Sequence, residues 1–440
     1  MLRAKPLTVE EVEAVTSPWR ARGLVPTLVA VAAAFGAWSL LLPVVPTAVL
    51  DAGGSETLAG GSTGAFMGAT VLTQVFVPSL LRRFGYRAVI AVASVLLGVP
   101  SLGYILGMDP AIVLSVSVVR GIGFGALSVA EAAIIAELVP LRLLGRTSGI
   151  FGLFVGFSQM LALPSGLALA QVVGYPVVFI IATALGLVGL VVCLGIPPTP
   201  EAGAGGGELA GVRVPLWRLV AVPMLALSLV TTAYGAVTNF LPASVREMSP
   251  AAGAAFGGVL LAVLNLAAMF SRYFAGVVLD RRGVPGTVII PFQMCAAAGI
   301  FTIAVVMVTD ASVLWLLLAA FLYGAGFGAV QNESLTMLFY RLPKSKASEA
   351  SAMWNISFDG GTGLGSTVYG MMLAGFGAAS SGVAHPMALM YFIAGCVVSA
   401  GIAVTVADDI LGRQRIAEVD NLSTRLSAAR AKRRFGRPGR

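Results

Sequence analysis

The chain has 440 residues, 58% of them hydrophobic and only 11% charged, with a net charge of +8. Soluble domains carry about 25% charged residues, so an ordinary hydrated surface is excluded, as are collagen-like, disulfide-stapled and disordered compositions. A hydrocarbon-spanning helix takes about 20 apolar residues, so twelve use roughly 240 and leave only tails, one linker and short loops.

Residues 1–22 are polar and carry Arg3, Lys5, Arg20 and Arg22. Thr8 and Glu11 have the spacing of a capping box for a short helix over Val9–Val15. No small-residue cleavage site closes the first apolar run, so a cleaved signal peptide is not expected. Apolar runs predict spans near 24–48, 57–81, 86–107, 110–138, 147–173 and 175–196, making a six-helix bundle over 23–196. Residues 197–217, rich in Gly and Pro with Glu201, Glu208 and Arg213, read as a linker. Six more spans follow near 218–242, 252–279, 286–308, 311–340, 347–375 and 386–407, a second bundle over 218–408. The fold class is therefore an all-α membrane protein of twelve transmembrane helices in two halves.

Cys193, Cys295 and Cys396 lie in apolar runs without paired spacing and read as packing residues. A single histidine, His385, cannot build a metal site alone. No metal or cofactor is expected.

Charge placement sets the orientation. Of 28 Lys and Arg residues, 25 fall in the tails, the linker region and the loops on one side. Arg246 lies on the other side, and Arg120 and Arg272 lie inside spans. The positive-inside rule makes both termini cytoplasmic, and this asymmetry, rather than nucleic-acid binding, accounts for the +8. In the basic tail, 409–440, Ile416, Val419, Leu422 and Leu426 keep helical spacing. A helix resting on anionic lipid and a solvated tail both fit that pattern.

The halves repeat one another. Arg83-Phe84-Gly85 matches Arg281-Arg282-Gly283 at an offset of 198. Gly123-Phe124-Gly125-Ala126 matches Gly326-Phe327-Gly328-Ala329 at 203, an offset shared by Pro140 and Pro343. Repeated six-span halves with a site between them are a transporter architecture. On these motifs the chain resembles the major facilitator superfamily over essentially its whole length apart from the tails. The family's loop after span 8 is matched by Gly276-Val-Val-Leu-Asp280-Arg281-Arg282-Gly283, and its span 4 motif by Arg120-Gly-Ile-Gly-Phe-Gly-Ala.

The resemblance implies a latch between the halves at Asp280, Arg281, Gly283, Arg83 and Gly85. It also assigns Arg120 to proton or ligand coupling, and a monomer is the family expectation. Two departures stand out. The first latch loop reads Pro78-Ser-Leu-Leu-Arg82-Arg83-Phe-Gly85, with arginine for the family's aspartate and proline for its glycine, so the latch is expected to rest mainly on Asp280. The antiporter signature of span 5 survives only as Pro164-Ser-Gly166.

Charges inside a bilayer are costly and mark function or pairing. Asp359 lies twelve residues into span 11, about 18 Å deep at helical rise. It is the first candidate proton carrier; a structural carboxylate and a cation ligand are the other readings. Asn355 lies one turn away, on the same helix face. Glu333, also a proton-coupling candidate, and Arg272 share a depth that suggests an ion pair. Glu131 is a further proton-coupling candidate, or a partner of Arg142 or Arg146. Asn355, Trp354, Asn332, Gln74, Trp38 and Tyr234 are the expected substrate-cavity residues. Gly60, Gly64 and Gly68 form a stripe read as a close helix-packing surface that rocking of the halves also uses.

Neither glycine ladder carries the Lys-Ser/Thr of a phosphate loop, so nucleotide energy is not indicated. An integral-membrane enzyme lacks its catalytic constellation, and a receptor leaves the buried charges unexplained. The motif set resembles most the family's drug and metabolite exporters, which implies proton-coupled export of a small hydrophobic or amphipathic compound. Proton-coupled import of a neutral solute is the alternative. The Arg- and Ala-rich composition points to a bacterial cytoplasmic membrane.

Overall fold

The computed structural model describes residues 6–198, 216–249, 253–378 and 385–435. Helices account for every regular element among them. The capping box forms as expected, with Thr8 and Glu11 exchanging hydrogen bonds of 3.3 and 3.2 Å at the start of α1, Val9–Glu13. The first span is α2, Leu24–Leu41, continued by α3, Val44–Asp51, after Pro43 interrupts the backbone ladder. Two spans share α4, Glu56–Gly98, which folds back at Gly85 with φ 75°. Then come α5, Pro110–Leu138, α6, Leu141–Val173, and α7, Tyr175–Val192.

The second set is α8, Leu216–Met248, α9, Gly253–Arg282, α10, Ile289–Val308, α11, Trp315–Arg341, α12, Ala347–Ala378, and α13, Pro386–Phe435. Ten stretches among the described residues are long and apolar enough to cross a membrane. One of them, Thr57–Leu106, is the bent pair, and α12, the eleventh span in chain order, brings the count to twelve. At 32 residues α12 is long enough to cross, but Ser, Asn, Asp and Gly dilute its hydropathy. The linker residues Glu201, Glu208 and Arg213, and the tail side chains from Ile416 onward, lie outside what is described.

The duplication is reproduced contact by contact. Gly121 lies against the carbonyl of Phe66 and Gly324 against that of Leu264. Gly125 packs on Thr70 and Gly328 on Ala268. Each pair keeps the offsets of 203 for the glycine and 198 for its neighbour. A Cβ at any of the four would strike backbone, so the ladders are where α5 meets the first part of α4, and α11 meets α9. Stacked rings repeat as well: Trp38 on Phe124 at 5.0 Å and Tyr234 on Phe327 at 4.3 Å.

The halves meet along two seams, α4 with α12 and α6 with α9. Along the second seam Gly145 approaches the backbone of Gly276, Gly149 that of Tyr273, and Gly152 the side chain of Arg272. Among the described residues, all hydrogen bonds joining the halves lie between Asp359 and the end of the bundle that carries the N-terminal tail. This end is called the terminal face below. Toward the opposite end, nothing lies within 4 Å of a Cβ built on Gly60, Gly64, Gly68, Gly360 or Gly363. The expected packing role of the Gly60–Gly64–Gly68 stripe is therefore corrected: it faces open space, and among the described residues the hydrogen bonds that join the halves lie toward the terminal face.

Candidate functional site

Asp359 lies where the bonds between the halves end. Its Oδ2 accepts a 2.6 Å hydrogen bond from Nε2 of Gln74, on the opposite half. The same Nε2 reaches Ser128 Oγ at 3.4 Å, while Gln74 Oε1 is buried without a partner. One turn toward the terminal face, Asn355 donates to the carbonyls of Ser128 at 3.3 Å and Ser351 at 2.9 Å, and Ser351 donates to the Val129 carbonyl at 2.7 Å. A carboxylate, an amide and a serine of α12 are thus fastened to α4 and α5. Helical depth placed Asp359 and Asn355 at this level; Ser128 and Ser351 went unnoticed because buried serines carry little sequence signal.

The other interior charges are kept apart. Arg120 donates from Nε to the Leu97 carbonyl and from Nη2 to the Ala37 carbonyl, each at 3.2 Å. Its guanidinium lies over the rings of Phe66 and Tyr104, at the edge of a small recess also lined by Trp38, Ser62 and Ser117. Glu131 is fully buried and neither carboxylate oxygen has a partner among the described residues. The suggested pairing of Glu131 with Arg142 or Arg146 does not occur. Arg142 is held by Glu13 and two backbone carbonyls, and Arg146 faces Asp280.

Arg272 and Glu333 do not form the expected ion pair. Glu333 points into the second half, where Oε2 accepts the backbone N–H of Gly286 at the turn before α10. Arg272 points across the seam: Nη1 donates to Gln331 Oε1 at 3.1 Å, and the cation lies 5.5 Å from the Phe151 ring and 5.3 Å from that of Trp354. The two share a depth and face opposite ways, which helix rise alone cannot reveal. Of the expected cavity residues, Asn332 is fully buried with both amide atoms unpartnered. Trp354 is buried too, its Nε1 donating to the Gln331 carbonyl at 3.0 Å. In this conformation neither lines open space; Trp38 and Tyr234 are half-buried.

Closure at the terminal face has two ion pairs. Asp280 accepts the backbone N–H of Arg146 at 3.1 Å, with Arg146 Nε at 3.7 Å. On the other seam Arg82 pairs with Glu349 at 2.5 Å and donates to Ser79 at 3.0 Å. The expected residue Arg83 lies over the neighbouring Phe84 ring, and Arg281 is exposed without an ion pair to a described residue. Their latch assignment therefore moves to Arg82, Glu349 and Arg146, whose side chains point across the seams. Gly85 and Gly283 have φ of 75° and 69°, a region that suits glycine. A strap adds to the closure: Glu13 reaches Arg142 and Lys344, each at 3.4 Å, so the N-terminal tail touches both halves.

A family model described as Major Facilitator Superfamily matches residues 27–366. Two uncharacterized MFS-type transporters from strains of Mycobacterium tuberculosis are 31% identical over 128 residues, which covers 28% of this chain and 18% of theirs. The match thus spans under a fifth of those relatives. Among solved structures, the proton:xylose symporter XylE, bound to 6-bromo-6-deoxy-D-glucose, superposes with a TM-score of 0.71 at 17% identity, covering 87% of this chain and 94% of that one. The Escherichia coli fucose:proton symporter FucP gives 0.65 at 17%, covering 87% and 99%. The human organic anion transporter MFSD10 gives 0.70 at 14%, with the same coverage as FucP.

Proposed function

This chain belongs to the Major Facilitator Superfamily and is a multi-pass membrane transporter rather than an enzyme, and from that premise we propose that it couples proton movement to the export of a small hydrophobic or amphipathic compound. The positive-inside asymmetry supports a cytoplasmic terminal face in a bacterial cytoplasmic membrane. On that assignment the conformation is closed to the cytoplasm and outward-facing. The bundle boundaries at 23–196 and 218–408 belong to the same reading, as does a monomer acting alone.

The observation that carries the coupling is the Gln74–Asp359 hydrogen bond, at the level where closure ends. A hydrogen bond to a charged group contributes about 1.5–3 kcal/mol and one between neutral groups about 0.5–1.5. Protonating Asp359 from the outside therefore weakens the tie between α4 and α12 by about 1 kcal/mol. That is several-fold in the balance between closed and open terminal faces. The proton is released when Asp359 meets the cytoplasm. Aromatic pairs in each half, Trp38 with Phe124 and Tyr234 with Phe327, supply apolar walls suited to an amphipathic passenger.

Proteoliposomes with a trapped pH dye test this. Export coupling predicts that a transported compound drives protons the opposite way. Co-directional flow would support import by symport instead, and transport without proton movement would remove the coupling.

A further inference from the structure

We propose that Arg272 is the subsite for a negatively charged group on the transported compound, a carboxylate on an apolar body, and that it becomes accessible when the terminal face opens. The inference deepens the transport reading above and rests on it. Arg272 is 5% exposed, and of its nitrogens only Nη1 has an acceptor. Nε and Nη2 are buried without one, and no carboxylate among the described residues comes within ion-pair distance. A buried guanidinium with free donors calls for a partner from elsewhere.

The repeat identifies what is missing. At the offset of 198 Arg272 corresponds to Gln74, and at 203 Asp359 corresponds to Gly156. On one seam a neutral amide meets a carboxylate; on the other the position matching that carboxylate is a glycine, and the arginine finds no acid opposite it. Gly156 packs against Met269 and Gly152 against the Arg272 side chain itself, so the first half offers no acidic group there. The walls suit the rest of such a ligand. Phe151 comes from the first half and Trp354 from the second, with the guanidinium between their rings. Parting the α6–α9 seam withdraws Phe151 and Gly152 and uncovers Nε and Nη2. A planar guanidinium then takes a carboxylate through two parallel N–H bonds.

The test uses the purified full-length protein and two probe pairs: naphthalene-2-carboxylate and indole-3-acetate, each beside its methyl ester. Affinity is read from tryptophan fluorescence. Wild type is expected to bind each acid at least tenfold more tightly than its ester. Arg272→Gln brings that ratio to about one, and Arg272→Lys keeps part of it because the charge survives. Arg272→Gln removes an uncompensated buried charge and should melt cooperatively. Asp359→Asn separates this claim from proton coupling: it retains the acid preference while losing proton-driven transport. Equal or absent binding of acid and ester by wild type overturns the proposal, as does an acid preference that survives Arg272→Gln.

Discussion

Arg82 and Asp280 occupy the same place in the two repeats, 198 residues apart, and carry opposite charges. Their partners are equivalent too: Glu349 stands 203 residues after Arg146, again with the charge reversed. Each latch joins a residue just before the α4 bend or at the α9 end to one at the start of α12 or α6, at 2.5 and 3.7 Å. The arginine that departs from the family's loop is thus half of a charge-swapped pair. The closure remains two-sided.

The swapped pair makes a direct prediction. Arg82→Glu sets two carboxylates against each other and should speed amide hydrogen exchange at the start of α12. Adding Glu349→Arg should restore protection. Arg82 is 47% exposed at its side chain, so solvent screening holds the expected coupling to about 0.5 kcal/mol. A double-mutant cycle measures it; no coupling would make the contact incidental.

Asp280 should matter more. Its side chain is 4% exposed and accepts a backbone N–H. Asp280→Ala removes a buried acceptor and its contact with Arg146 at a cost of about 1–3 kcal/mol, while Asp280→Asn keeps an acceptor and costs less. Thiol accessibility of a cysteine introduced beside the α6–α9 seam should rise more for Asp280→Ala than for Asp280→Asn.

The glycines separate packing from open space. A Cβ on Gly276 would run into the Gly145 carbonyl, so Gly276→Ala should disfavour terminal-face closure by about 1–3 kcal/mol. Nothing lies within 4 Å of a Cβ on Gly64. Gly64→Ala should leave this conformation within about 0.5 kcal/mol of wild type. If the opposite closure brings that stripe against the other half, turnover falls while the stability of the state described here does not. Melting curves and counterflow rates distinguish the two.

Much of this was legible beforehand, in proportion to how far each feature depends on chain order. Span number, the two offsets and the depth of Asp359 follow from periodicity and rise per residue. Azimuth does not, which is why Arg272 and Glu333 looked paired at equal depth although they face different helices. The Gly60–Gly64–Gly68 stripe was misjudged because its partner depends on which face of the protein is closed. The charge swap was present in the offsets: adding 198 to Arg82 and 203 to Arg146 reaches Asp280 and Glu349. Neither arginine shows it when taken without its counterpart in the other repeat.

The central claim is that Asp359 carries the coupled proton, and the most direct measurement is proton flux in proteoliposomes with a trapped pH dye and an imposed gradient. Hydrophobic antibiotics and amphipathic acids serve as passengers, comparing wild type with Asp359→Asn. The account predicts that a transported compound dissipates the gradient in wild type alone, while Asp359→Asn still exchanges the compound without net proton movement. Equal proton flux in both proteins would contradict it and leave Asp359 as a structural tie to Gln74.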